Sequence, residues 1–370
     1  MPAYAHVGPP LVSEVWHLMA IKHSSFEQPQ TERSFTMKYV AIASLGALMM
    51  AGSVSAQAII DNGTVQLGVD ELGQLNVSGG TASPVSGTTA VGLRHMPTGY
   101  ESTSHGCECE GWGVGIGETE VAGYANNAIG TANLTGLSFT STASTATSTV
   151  KLTSGELEVT HSFAPSASTS NLYEVNVAIT NTSGVDIADL RYTRTFDWDI
   201  EPNAFSEVVT ISGTGTTASL LKATNNGFDS SNPFASRSTR SGYVENTDVV
   251  DFGPADHGAN FDFGFGALAA GETFEFSMFY GAAATEASAL DALGEVGAEL
   301  FSLGQPSSDP LGTGTNGSVD TATFVFGFAN VGGTVIIPDP TPQVPLPASV
   351  LFLTGGIAAL GAMRRMKKAA

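Results

Sequence analysis

Residues 172–200 read LYEVNVAITNTSGVDIADLRYTRTFDWDI, and their pattern decides the fold. Tyr173, Val175, Val177 and Ile179 alternate with Glu174, Asn176 and Ala178, the period of a strand with one face on a core. Asn181-Thr182-Ser183-Gly184 follows as a turn. A return strand then sets Leu190, Tyr192, Phe196, Trp198 and Ile200 on one face. Arg191, Thr193, Thr195, Asp197 and Asp199 take the other. Working outward, Leu157, Val159, His161 and Phe163 form another inward face. Residues 60–79 read as strand, turn and strand. Phe261/Phe263/Phe265, Phe274/Phe276/Met278 and Phe324/Phe326/Phe328 make three aromatic-rich stripes expected to share one core.

The stretch is thus one part of an all-β body, predicted as a large antiparallel β-sandwich over residues 57–335, either one large domain or two abutting ones. One helix interrupts it. Glu286 to Leu303 is rich in Ala, Leu and Glu, with Leu290, Leu293, Gly297, Leu300 and Phe301 on one face and Thr285 as N-cap. Thr140 to Thr149 holds only Ser, Thr and Ala and could make an edge strand. Residues 60–79, 172–184 and 268–281 together resemble the two-sheet supersandwich of carbohydrate-active proteins. That likeness bears on fold and says little about function.

The whole chain has 370 residues and a formal net charge of −21, with 13% charged and 42% hydrophobic residues. Such a composition excludes wholesale disorder and a long helical rod. The acidity argues against a nucleic-acid partner, which needs clustered Lys and Arg. Charge is unevenly placed: residues 57–343 carry seven basic residues against 32 acidic ones, a net −25, and both ends are basic.

From Met37 the chain reads MKYVAIASLGALMMAGSVSA, a basic start, an apolar run and a small-residue site. Residues 37–56 are therefore a secretory signal peptide with a helical apolar run, cut after Ala56 or, alternatively, after Ala58. Residues 1–36 show no clear pattern and read as an upstream extension, untranslated or removed. At the other end, 336–347 form a proline-rich linker. An uncharged stretch at 348–363 approaches the length of a transmembrane helix, and basic residues at 364–370 should stay cytoplasmic.

This tripartite tail resembles the VPLPA-CTERM class of PEP-CTERM sorting signals over its last 27 residues. The motif residues are Val344, Pro345, Leu346, Pro347 and Ala348, with Arg364 and Arg365 as the stop. The resemblance implies a Gram-negative bacterium that makes exopolysaccharide, export through a secretion translocon, and transient inner-membrane anchoring. It also implies a membrane protease-transpeptidase, an exosortase, as partner, and a final place in the cell envelope or outside the cell. A plain anchor without processing is the alternative.

Within the body, Gly106-Cys107-Glu108-Cys109-Glu110-Gly111-Trp112 holds the only two cysteines. In an oxidising exterior they are expected to form a disulfide. His95, His105, Cys107 and Cys109 also supply donors suited to zinc. Glu108 and Glu110 beside Trp112 could mimic a sugar site. Asp197 and Asp199 are candidate catalytic carboxylates: on one strand face they would sit about 7 Å apart. That falls in the roughly 6.5–9.5 Å range of an inverting glycosidase. The pair fits Ca²⁺ as well, and the bland alternative is a solvated face with Arg191 neutralising Asp197. Arg194 faces the apolar side and needs a carboxylate or aromatic partner there. Asp248, Asp251 and Asp256, next to His257, are further Ca²⁺ candidates, although their spacing is not that of an EF-hand. His161 reads as a core histidine. Esterase, zincin and P-loop motifs are absent from the sequence. Two functions follow: a non-enzymatic envelope or matrix protein, or a carbohydrate-active enzyme or lectin.

Overall fold

A computed structural model describes residues 57–307 and 321–336. The expected signal helix at 37–56, cleavage at Ala56, the sorting motif Val344–Ala348, the membrane helix at 348–363 and Arg364/Arg365 lie outside the described residues. Within them, no helix is long and apolar enough to cross a membrane.

Among the described residues, the body is built from three antiparallel sheets and one short helix. The smallest sheet runs in chain order through β1 (Ala58–Asp61), β2 (Val65–Val69), β3 (Leu93–His95) and β4 (Tyr100–Glu101). A five-stranded sheet has the order β13 (Leu220–Thr224), β15 (Gly258–Leu268), β11 (Ile187–Asp197), β5 (Glu110–Ile116) and β6 (Val121–Asn126). The nine-stranded sheet begins β14 (Val249–Ala255), β12 (Glu207–Ser212), β17 (Leu300–Pro306) and β18 (Thr323–Ala329). It continues β16 (Thr273–Ala283), β10 (Leu172–Asn181), β9 (Leu157–Pro165), β8 (Ala146–Leu152) and β7 (Leu134–Ser141).

The five- and nine-stranded sheets face each other as a sandwich, and aromatic side chains fill the space between them. Tyr192 of β11 meets Phe276 of β16 at 5.0 Å, edge-on, and Phe196 stacks on Phe326 at 5.3 Å. Phe263 of β15 lies 4.9 Å from Phe328 of β18. The three aromatic stripes do share one core, which also takes residues from the small sheet. Alternation in β9 and β10 follows expectation, with Leu157, Val159, His161 and Phe163 inward, and Tyr173, Val175, Val177 and Ile179 likewise. The Ser/Thr/Ala segment at 140–149 spans a hairpin whose first strand, β7, is the sheet edge.

The turn at Asn181–Gly184 does not close a hairpin. It carries the chain from the nine-stranded sheet to the five-stranded one, since β10 pairs with β9 and β16 while β11 pairs with β5 and β15. Asn181 is fully buried and binds both crossovers: its Nδ2 donates to Val185 O at 2.8 Å and to Leu268 O at 3.0 Å.

β11 also departs from expectation on its outward face. The segment between β13 and β14, residues 225–248, covers it. Gly113 and Gly115 on the neighbouring strand leave room for Ser231, Pro233 and Phe234, which a Cβ would strike. Arg237 grips Asp262 with two hydrogen bonds at 2.6 and 2.7 Å, and Thr193 donates to the same carboxylate at 2.6 Å. Thr193, Thr195 and Asp197 are therefore buried rather than solvated. Arg191 does not neutralise Asp197; it pairs with Asp189 at 2.5 Å.

The helix, α1, is shorter than expected, Glu286–Glu295, and the chain from Leu300 on is β17. Thr285 does cap it, accepting from Ser288 N at 3.2 Å. It stops because Gly297 takes a φ of +64°, with Ala298 N bonded to Leu293 O and Gly297 N to Gly294 O. That is the glycine-terminated Schellman ending.

Candidate functional site

Two groups of buried charges lie along β11. The first is centred on Arg194. Its Nε donates to Glu110 Oε1 at 2.6 Å and to Tyr280 Oη at 2.7 Å, and Nη2 reaches Glu110 at 2.5 Å and Gly73 O at 3.2 Å. Tyr280 donates to Glu110 Oε1 at 2.6 Å, and Leu75 N donates to Glu110 Oε2 at 2.6 Å. Glu110 and Arg194 are fully buried. Charges match and, of the Arg194, Glu110 and Tyr280 polar atoms, only Arg194 Nη1 has no partner, so this group holds β5, β11, β16 and the loop after β2 together. Beside it, His161 Nε2 meets Tyr192 Oη at 3.1 Å, and burial with the nearby Arg194 charge keeps its pKa well below the usual histidine value.

Glu110 and Trp112 thus belong to the core and not to a sugar platform. Trp112 is fully buried, lies 4.5 Å from His161 and donates from Nε1 to Leu72 O at 2.8 Å. Of the three residues in that expectation, Glu108 bonds Asn127 Nδ2 at 2.8 Å.

The second group begins where β11 ends. Asp197 is its last residue, so the alternation that would set Asp199 on the same strand face stops there. The chain runs on, tied by Asp197 N to Cys109 O, Trp198 N to His257 O and Asp199 N to Ser102 O. Asp197 and Asp199 are fully buried, and with Asp256 their carboxylate oxygens converge to within 4.8 Å of one another. That corrects both expectations: the carboxylates are closer and more enclosed than an inverting pair about 7 Å apart with water between, and they do not lie on a solvated face. Glu207, at the start of β12, is also fully buried and takes His257 N on Oε1 at 2.9 Å.

Glycines let the backbone close on these acids. A Cβ at Gly106 (φ +90°) would come 2.7 Å from Asp199 Oδ2, and one at Gly227 would come 2.7 Å from Asp197 Oδ1. Cys107 and Cys109 are joined as a disulfide, and Cys107 Sγ lies 3.2 Å from Asp197 Oδ2. A disulfide sulfur has no proton to donate, so that oxygen gains no hydrogen bond from it.

Burial and mutual repulsion push these carboxyls upward. Asp197 lies well above the usual range through burial and then the Asp199 charge. Burial and then Asp256 and Glu101 push Asp199 up to about 8. Glu207 is raised well above its ordinary value by burial, with Asp199, Asp197 and Asp256 adding to it. Asp256 is raised by burial against the opposing Arg240, whose Nη2 is 3.5 Å from Oδ2. His257 contributes no charge, since burial and Arg240 push it down to about 4. Asn225 fixes its tautomer. Asn225 Oδ1 accepts from Arg240 N, so its amide nitrogen faces His257 Nδ1 at 2.9 Å, and Nε2 carries the proton.

The other expected ligand sets do not assemble. Asp248 accepts from Gly213 N at 3.2 Å and from Thr214 N and Oγ1 at 2.9 and 2.6 Å, a loop anchor. Asp251 acts on Glu286, whose pKa is raised by burial and then by the Asp251 charge, and only Asp256 of that trio joins the cluster. His95 bonds Thr98 at 3.1 Å and His105 sits against Phe205 and Glu201, so neither completes a zinc set with the cysteines. Sequence reading missed Glu207, which carried no local signal. Compared with known families and curated proteins, the chain matches none.

Proposed function

We propose that the chain is an exported cell-envelope or extracellular-matrix protein of a Gram-negative bacterium, non-enzymatic and associated with exopolysaccharide, built on a supersandwich-like scaffold. The observation that carries this reading is the order of the tail. Val344–Ala348 precede an uncharged stretch, which precedes Arg364, Arg365, Lys367 and Lys368. A signal-type segment at 37–56 stands at the other end, so both ends of an acidic body address it to the membrane. A body at −25 suits a surface that stays soluble outside the cell and meets anionic polymers only through bridging cations. The carbohydrate-active alternative loses its groups, because Asp197, Asp199 and Trp112 have no solvent exposure.

Deleting residues 344–370 is expected to release the body to the medium in a host that encodes an exosortase. Cell fractionation reads the outcome, and envelope retention of the truncated chain would refute sorting by the tail.

A further inference from the structure

Among the described residues, six carboxylate oxygens at one end of the sandwich have no hydrogen-bond donor: Asp197 Oδ1 and, beside the proton-free disulfide sulfur, Oδ2, Asp199 Oδ1 and Oδ2, Glu207 Oε2 and Asp256 Oδ1. They come from both sheets. Asp197 ends a strand of the five-stranded sheet, while Glu207 starts one of the nine-stranded sheet. Glu207 is the telling member. It is fully buried with Oε2 unpartnered, it lies outside the converging aspartate trio, and the charges of all three aspartates act on it. Buried polar atoms in native proteins are nearly always paired, and buried charge is paired or metal-bound. Water could satisfy an oxygen or two, but it would not offset four acids that face one half-exposed arginine, Arg240.

We propose that Asp197, Asp199, Glu207 and Asp256 bind a calcium ion that clamps the two sheets together at this end. The donors are all hard oxygens, and four carboxylates exceed the one or two that Mg²⁺ ordinarily takes. Zinc would call on sulfur or nitrogen. Here the sulfurs are bonded to each other and supply no thiolate, and His257 Nε2 holds a proton, so neither is a ready zinc ligand. Glycines at 106 and 227 leave the space that a Cβ would take from Asp199 and Asp197. Asp256, with 32% of its side chain exposed, gives the ion a way in from solvent. The inference is read from the body alone and does not depend on the sorting tail.

Isothermal titration of the chelator-treated full chain with CaCl2, MgCl2 and ZnCl2 tests it, with circular dichroism as the check on folding. Calcium is expected to bind at one ion per chain, with magnesium at least ten-fold weaker. Asp199→Asn and Asp256→Asn should each weaken calcium at least ten-fold. Absence of calcium binding, or binding unchanged in both variants, would overturn the proposal. So would zinc binding accompanied by two alkylatable thiols, which would point to Cys107, Cys109 and Asp197 instead. If a variant fails to fold, metal content of the wild-type chain decides. Calcium near one per chain after re-addition supports the site, and none refutes it.

Discussion

Arg194 and Asp197 sit three positions apart on the same strand, and each is the centre of a buried charged group. Around Arg194, one cation meets one carboxylate, with Tyr280 and backbone groups taking up most of what remains. Around Asp197, four acids meet, among the described residues, only the rim cation Arg240, and six of their oxygens have no donor. Matched charge, with Arg194 Nη1 the one buried atom of the Arg194–Glu110–Tyr280 group left unpaired, marks a group that serves the fold. A surplus of one sign marks a group that is finished by something else. Arg194 and Glu110 on one side and Asp197, Asp199 and Glu207 on the other are all fully buried, so burial alone would not separate them.

The largest effect should come from breaking the closed group. Arg194→Met would leave Glu110 buried without its cation, and such losses run at about 3–5 kcal/mol. Urea denaturation reads it, and the double variant with Glu110→Gln should recover a good part. If the double variant is no more stable than the single, Glu110 does not depend on Arg194 for its charge.

A smaller effect attaches to Asp70, which lies near Glu110. Burial, with Glu110 and Glu71 adding to it, pushes its carboxyl up to about 7. Its folded pKa is therefore above its unfolded one, so the native state holds a proton that the unfolded chain releases. Stability from this residue is full below about pH 4 and is lost as pH rises toward 7. Asp70→Asn keeps the oxygen that accepts from Leu72 N and Gln74 N. It should flatten the fall of stability between pH 5 and pH 8 in urea midpoints, and an unchanged slope would contradict the assignment.

The same contrast shows what was legible in the sequence. β9 and β10 read correctly because each has one wet face, so polar and apolar residues alternate with burial. The aromatic stripes read correctly because nothing but a core holds so many phenylalanines. Arg194 announced its need for a partner by standing on the apolar face, although Glu110 could not be named as that partner. The reading failed at Asp197 and Asp199 because residues 225–248 cover the far side of β11. A polar face covered by a loop looks, along the chain, like one covered by water. Asp256 was seen as acidic but grouped with its neighbours Asp248 and Asp251, whereas the fold pairs it with residues distant in the chain. Glu207 gave no sign, being one acid at the start of an ordinary strand. The helix end was legible in principle, since Gly297 is the residue type that a Schellman ending needs.

Thermal melting of wild type and Asp199→Asn, each in chelator and in calcium, tests the surplus-charge claim most directly. Without metal and above pH 8, where Asp199 is ionised, removing this repelling acid should raise the melting temperature above wild type. With calcium, wild type should melt higher, because it alone keeps the full ligand set. A reversal of rank between the two conditions is the predicted result, and the same rank in both would contradict it.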